Sequence, residues 1–211
     1  MIFGDLRGWI EALRKEGELQ EINTEVDWDV ELGTITRKAM ASGKGPALLF
    51  NNIKGYQNAR CTRIFTASMS SYQRIAMMYG LPKSASITDL VKHSRALFKQ
   101  RVPPIEVASG PVKENILKGD AIDLFEFPAP RWNRKDGGRY LLTMQGNVTK
   151  DPDTGRLNVG IYRGMIGKKN TIPSLLSRAQ NWGQDFMKYA ARGEEMPVAC
   201  VIGGEPALAY M

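Results

Sequence analysis

Residues 139–167 constrain this chain more than any other stretch. Two strand-like runs, RYLLTMQGNVTK and RLNVGIYRGMIG, flank the turn-rich Asp151-Pro152-Asp153-Thr154-Gly155. Proline presets φ and Gly155 can take a positive φ, so the pattern predicts a β-hairpin. A second punctuation mark lies upstream. Pro103-Pro104 must end any helix that reaches it, because the residue before a proline is pushed out of the α region and proline has no N–H to donate. Beyond it the chain becomes loop- and β-rich, with Pro111, Pro128, Pro130, Gly137 and Gly138 breaking it into short segments. This shift predicts an amino-terminal α/β domain over residues 1–110 and a second domain over 111–211.

The first part alternates helix and strand. Leu6, Trp9, Ile10 and Leu13 recur at helical spacing, with Gly17 as the C-cap. A strand near residues 19–26, a helix over 29–40 and a buried strand at Ala47-Leu48-Leu49-Phe50 follow. Residues 58–67 read as a strand and 69–79 as a helix closed by Gly80. Ser86-Ile87-Thr88-Asp89 opens, in capping-box fashion, a helix to about Arg101. Met69, Met77 and Met78 are expected to fill the core. After the hairpin, residues 172–192 read as one helix with Leu175, Leu176, Ala179, Phe186, Met187 and Ala190 as its apolar stripe, and residues 198–202 as a buried strand.

The balance of 29 Lys and Arg against 22 Asp and Glu, net +7, favours an anionic partner such as a phosphate, a carboxylate or nucleic acid. The cations are interleaved with acids, and no nucleic-acid-binding signature is present, so a nucleic-acid partner is not expected. Two cysteines, Cys61 and Cys200, are too few and too far apart for a disulfide framework. No apolar run approaches the roughly 18 residues of a membrane span, and the amphipathic, acid-bearing start resembles no signal or transit peptide. A reducing, cytoplasmic setting is the simplest expectation.

Three segments hold residues suited to chemistry. Arg131 to Arg139 gathers four cations around Gly137-Gly138 and can offer guanidinium forks to a phosphate; the plainer reading is a solvated chain reversal. Asn158-Val159-Gly160-Ile161-Tyr162-Arg163 sets an amide, a phenol and a guanidinium around a strand glycine, a residue that often marks a bulge or a close approach to a ligand. Strand alternation puts Asn158 and Arg163 on opposite faces, so one ligand reaches both only if the strand bends between them. Gln180-Asn181-Trp182, in the predicted helix, offers a carbonyl oxygen suited to hard cations, though such an asparagine is commonly a surface or capping residue. His93, the sole histidine, reads as a solvent-facing helix residue.

Taken in order, LRGWIEALRKEGELQEI, ALLFNNIKGY, DAIDLFEFPAPRWNRKDGGRY, GGRYLLTMQGNVTKDPDTGRLNVGIYRGMIGKKNTIP and EEMPVACVIGGEPAL resemble the UbiD family of reversible decarboxylases across essentially the whole chain. The resemblance implies an α/β (α+β) fold: the amino-terminal α/β domain and the first part of a flavin-binding split β-barrel. It also implies non-oxidative decarboxylation of an aromatic, hydroxybenzoate-type or α,β-unsaturated acid, with release of CO₂. The implied cofactors are prenylated FMN, supplied by a flavin prenyltransferase, a divalent metal, usually Mn²⁺, and K⁺ at the cofactor phosphate. Asn158 matches the family's metal-ligating asparagine. Ile161, Tyr162 and Arg163 match the stretch that contacts the flavin, and Arg163 the arginine beside the reacting carboxylate. By count from Asn158, Leu175, Leu176, Ser177, Gln180 and Asn181 match further cofactor-contacting positions. Asn181 stands where the ferulic-acid-decarboxylase branch has a histidine ligand, a departure shared with the ubiquinone-pathway branch.

Family members are more than twice this length, and their glutamate metal ligand, acidic proton donor and dimerising carboxy-terminal domain fall beyond Met211. The chain is therefore expected to be the amino-terminal portion of a longer, homo-oligomeric enzyme, inactive alone. An unclosed barrel has an open edge, which predicts association. The alternative reading is a flavin-binding module without decarboxylase activity.

Overall fold

Apolar spacing places the helices of the first half, and side-chain caps start all of them but the second. In the computed structural model, which describes residues 2–100 and 102–210, α1 spans Leu6–Lys15 and starts where the Asp5 carboxylate accepts from the Gly8 backbone N–H. Its Trp9 and Leu13 are wholly buried. β1 (Leu19–Ile22), α2 (Glu31–Met40), β2 (Ala47–Phe50) and β3 (Ile64–Thr66) follow. β1 pairs with β2 in parallel and β3 with β2 antiparallel. As the central strand, β2 is buried along its whole length. Leu48 and Phe50 pack with Val26, Leu32 and Ile53, while Ala47 joins Trp9, Leu13 and Met78 in a second cluster, against which Met69 and Met77 pack.

α3 covers Tyr72–Met78 and α4 Ile87–Leu97. The predicted capping box is formed, with the Ser86 hydroxyl accepting from the Asp89 N–H and the Asp89 carboxylate from the Ser86 N–H. α4 stops short of Arg101, itself outside the described residues, because its last turn tightens into bonds from Lys99 and Gln100 N–H to the Ala96 and Leu97 carbonyls. The strand predicted over 58–67 is realised only as β3; Ala59 instead closes a turn onto the Tyr56 carbonyl. His93 is half-buried, its ring 5.3 Å from that of Tyr79, rather than solvent-facing. Arg74 of α3 is 0% exposed. Its guanidinium is held by the Glu18 carboxylate at 3.1 Å and by the Ser68 and Gly45 carbonyls, which satisfy a buried charge that would otherwise be costly.

The second half comprises β4 (Tyr140–Leu142), β5 (Gly146–Lys150), β6 (Leu157–Gly160), β7 (Gly164–Met165), α5 (Asn181–Ala191) and β8 (Ala199–Val201). β5 and β6 form the predicted hairpin, and its turn is closed by Gly155 N–H donating to the Asp151 carbonyl. β4 pairs with β7, and β8 adds to the free edge of β5, giving the order β6-β5-β8. The fold is thus a mixture of helices and small sheets.

Two expectations are corrected here. The helix predicted over 172–192 begins only at Asn181. Pro173 has no N–H to give, and Ser177 takes the next residues into a turn, its carbonyl accepting from Gln180 N–H and its hydroxyl from Ala179 N–H. Leu175 is therefore 82% exposed, and the buried stripe of α5 is Trp182, Gly183 and Asp185. The strand predicted as buried at 198–202 is present as β8 but exposed throughout, because it is an edge strand with β5 as its single pairing partner among the described residues.

The cationic loop 131–139 joins the two halves. Arg131 makes a bidentate pair with Asp29 at 2.5 and 2.9 Å, and its backbone bridges Trp28 and Val30. Arg139 stacks on the Trp28 ring at 4.3 Å and donates to the Ala129 and Phe127 carbonyls. Of the two readings of this loop, phosphate grip or solvated reversal, neither describes these two guanidinium groups. At the same seam Val30 adopts φ 71° in a tight γ-turn, with Glu31 N–H donating to the Asp29 carbonyl.

Candidate active site

The register of the hairpin decides which side chains share a face. Thr149 stands opposite Asn158, and Asn147 opposite Gly160, so these positions look the same way, onto α5. The usual alternation is inverted. Gln145, Asn147, Thr149 and Asp151 are buried, while Leu157, Val159 and Val201 of the opposite face are exposed.

α5 can cover a polar strand face because its own inward positions are polar. Asn181, Asp185 and Lys188, at i, i+4 and i+7, lie along one side of the helix. Asn181 Nδ2 donates to Asn158 Oδ1 at 3.0 Å, Thr149 Oγ1 to Asp185 Oδ2 at 2.6 Å, and Lys188 Nζ to Asp151 Oδ2 at 2.8 Å. The Lys188 ammonium, aided by the Asp153 backbone N–H, holds the Asp151 carboxyl well below the usual carboxylate range. Below these contacts, Gln145 and Asn147 donate to the Tyr162 carbonyl at 2.6 and 3.2 Å, and the Cys200 thiol, whose pKa burial raises, donates to Asn147 Oδ1.

The chain leaves β6 after Gly160. Tyr162 folds back over that glycine, stacking on Trp182 with ring centroids 3.9 Å apart and planes 5° from parallel. A Cβ at residue 160 would lie 2.7 Å from the Tyr162 ring, so a larger residue there would have to displace that ring.

The predicted site residues separate into two groups. Asn158 and Asn181 touch directly. Gln180, the residue preceding α5, accepts from the Trp182 indole N–H, and Trp182 carries Tyr162. Gln180 and Asn181 therefore sit at the mouth of the helix, not toward its middle. Arg163 stands apart, exposed, with its guanidinium 6.0 Å from the Tyr140 ring centroid and no hydrogen bond or ion pair among the described residues. Ile161 and Leu175 are exposed, and Leu176 and Ser177 are half-buried in the loop before α5.

Sequence reasoning missed Thr149 and Asp185. Two signals pointed to them: the period-2 polar series Gln145, Asn147, Thr149 and Asp151, and the i, i+4 placement of Asp185 after Asn181.

The donor set fits an oxygen-preferring divalent cation. Asn158 Oδ1 keeps a lone pair beyond its bond from Asn181, and Asn181 Oδ1 has no hydrogen-bond partner among the described residues. Asp185, 3% exposed, has Thr149 as its hydrogen-bond partner and no ion pair among the described residues, so a nearby cation would offset its buried charge. The described residues hold no group of three or more His, Cys, Asp or Glu able to bind a metal. A cation here would rely on carboxamide oxygens and on oxygens of its ligand.

Comparison with known proteins identifies the surroundings of this site. Residues 105–211 match the 3-octaprenyl-4-hydroxybenzoate carboxy-lyase Rift-related domain, and residues 10–94 the amino-terminal domain of the same carboxy-lyase. The chain belongs to the UbiD family. Among UbiD relatives, the pyrrole-2-carboxylic acid decarboxylase of Pseudomonas aeruginosa is 31% identical over 96% of this chain and 42% of its own length. The vanillic acid decarboxylase of Sedimentibacter hydroxybenzoicus in its closed form superposes with a TM-score of 0.89 at 31% identity, covering 99% of this chain and 44% of that one. An evolved dimeric form of the UbiD-class enzyme HmfF from Pelotomaculum thermopropionicum, in complex with prenylated FMN, gives 0.84 at 27% identity, covering 97% of this chain and 45% of that one. The chain thus spans less than half the length of the UbiD relatives it matches.

Proposed function

We propose that this chain supplies the amino-terminal half-site of a UbiD-type carboxy-lyase that decarboxylates, reversibly and without oxidation, an aromatic or α,β-unsaturated acid. The single observation that carries the reading is the carboxamide pair of Asn158 and Asn181, whose carbonyl oxygens lie where β6 meets the start of α5. Asn158, beside Asn181, would hold a divalent cation such as Mn²⁺, which would supply positive charge toward an anionic cofactor; prenylated FMN and K⁺ would complete the cofactor set. The Tyr162–Trp182 stack, Gln180 and the 175–177 loop shape the cofactor's bed. Residues 1–110 form the supporting α/β domain, and residues 111–211 begin the split β-barrel.

Prenylated FMN, when bound, supplies the electron sink for cleavage of the carbon–carboxylate bond. The chain's own contribution is placement. Arg163, with no hydrogen bond or ion pair among the described residues, offers a planar fork that holds the substrate carboxylate and stabilises charge as CO₂ leaves. Asn158 faces α5 whereas Arg163 lies by Tyr140, so the two would serve different ends of one elongated ligand, a phosphate at the first and a reacting carboxylate at the second. The two free cysteines suit a reducing cytoplasm.

Native mass spectrometry of the chain, co-expressed with a flavin prenyltransferase and supplied with Mn²⁺, tests the reading. A 23.5 kDa chain carrying cofactor and metal is the expected outcome, with loss of the metal in Asn158→Ala. A chain that takes up neither would sink the half-site. In the longer enzyme, Arg163→Ala is expected to abolish turnover while leaving cofactor bound.

A further inference from the structure

The cation reading requires Asn158 to turn its oxygen, not its NH₂, toward the ligand, and a carboxamide can rotate by half a turn at little steric cost. We infer that Asp185 and Thr149 set that orientation, as positioning residues that act through hydrogen-bond direction rather than by touching the ligand; the metal part of this inference rests on the function proposed above.

The logic follows from donor counting. A carboxylate can only accept, so the short 2.6 Å contact between Thr149 Oγ1 and Asp185 Oδ2 commits the single hydroxyl proton of Thr149 to Asp185. Thr149 Oγ1 then has only lone pairs to offer its cross-strand neighbour. The group of Asn158 that faces it must therefore be the NH₂, and Nδ2 lies 3.4 Å away. Asn158 Oδ1 is thereby pointed outward, to the NH₂ of Asn181. The same rule repeats there: Asn181 donates inward, so its own Oδ1 faces out. One buried carboxylate thus orders three side chains in series, Thr149, Asn158 and Asn181, and two carbonyl oxygens emerge where β6 meets α5.

The burial supports this assignment. Thr149 is 1% and Asp185 3% exposed, so water cannot compete to reorient the hydroxyl. Among the described residues Asp185 has no cation to pair with, unlike Asp151, two residues beyond Thr149 in the hairpin turn, which has Lys188. A lone buried carboxylate without an ion pair is an expensive group to keep, and ordering this relay gives it a use that its neighbour does not have.

The test uses two isosteric changes, Asp185→Asn and Thr149→Val, with Thr149→Ser as the conservative control. In the full ligand-free chain, the side-chain ¹⁵N–¹H₂ signals of Asn158, assigned through their loss in Asn158→Ala, report its hydrogen bonds. They are expected to shift in Asp185→Asn and Thr149→Val and to stay in place in Thr149→Ser. Mn²⁺ titration followed by electron paramagnetic resonance, with FMN present, is expected to show affinity about 10–100-fold weaker in the first two variants and unchanged in the third. Unmoved Asn158 signals in Asp185→Asn would overturn the relay, as would unaltered Mn²⁺ affinity despite shifted signals. If the unmodified chain with FMN takes up no Mn²⁺, the cation reading of the site fails, while the relay itself is still decided by the Asn158 signals.

Discussion

Asp151 binds its protons differently in the folded and unfolded chain, and that difference is a pH-dependent part of the stability. Lys188 and the Asp153 N–H depress its folded pKa, and Lys188 with Arg192 depresses that of Asp153. The stabilisation is fully present above the unfolded carboxylate value near 3.9 and is lost as pH falls through that value toward the folded one. Lys188→Met is therefore expected to lower the melting temperature at pH 7, with the gap to the unmodified chain narrowing below about pH 4. A gap that stays constant from pH 7 to pH 3 would deny the pair this role. These charges also fasten α5 to the hairpin turn, so acid should loosen the cover of the candidate site before it reaches the apolar core around β2.

Helix propensity and packing oppose each other in α5. Replacing a helical glycine by alanine ordinarily favours the helix by about 1 kcal/mol. At Gly183 the added Cβ would lie 1.9 Å from the Ser177 carbonyl oxygen, backbone that cannot yield without undoing the turn before the helix. Gly183→Ala is expected to destabilise the chain by about 1–3 kcal/mol, read by urea denaturation, against the sign of propensity. This close approach also explains what the sequence left hidden. Periodicity located every helix of the first half, because their stripes are apolar and, in all but α2, their caps are local: Asp5, Ser71 and Ser86 each accept a backbone N–H three residues on. It overextended α5, whose buried side is Trp182, Gly183 and Asp185, a set that no apolar pattern would select. The hairpin was legible from its turn, but not that its polar side faces inward, since alternation alone does not say which face is covered. Asn158, Gln180 and Asn181 could be named from family resemblance. Their hydrogen-bond order could not, since it depends on a residue four positions along a helix whose start was misplaced.

At the scale of the whole molecule, the two halves are joined by planar cations as much as by apolar packing. Arg139 lies over Trp28, within 5.5 Å of the Tyr56 and Phe125 ring centroids, and feeds two carbonyls. Lysine keeps the charge but neither the flat face nor the fork. Arg139→Lys is thus expected to cost about 1–3 kcal/mol in chemical denaturation, and an unchanged midpoint would show that the seam holds without it.

That seam also contains Val30, a β-branched residue at φ 71°, a conformation that costs roughly 1–3 kcal/mol and persists only where its surroundings enforce it. The enforcement comes from Arg131, which grips Asp29 by its side chain and Val30 by its carbonyl. The joint between the halves is consequently under tension: if Arg131 lets go, the turn has an energetic reason to relax and move α2 away from the loop, so parting, once begun, would assist itself.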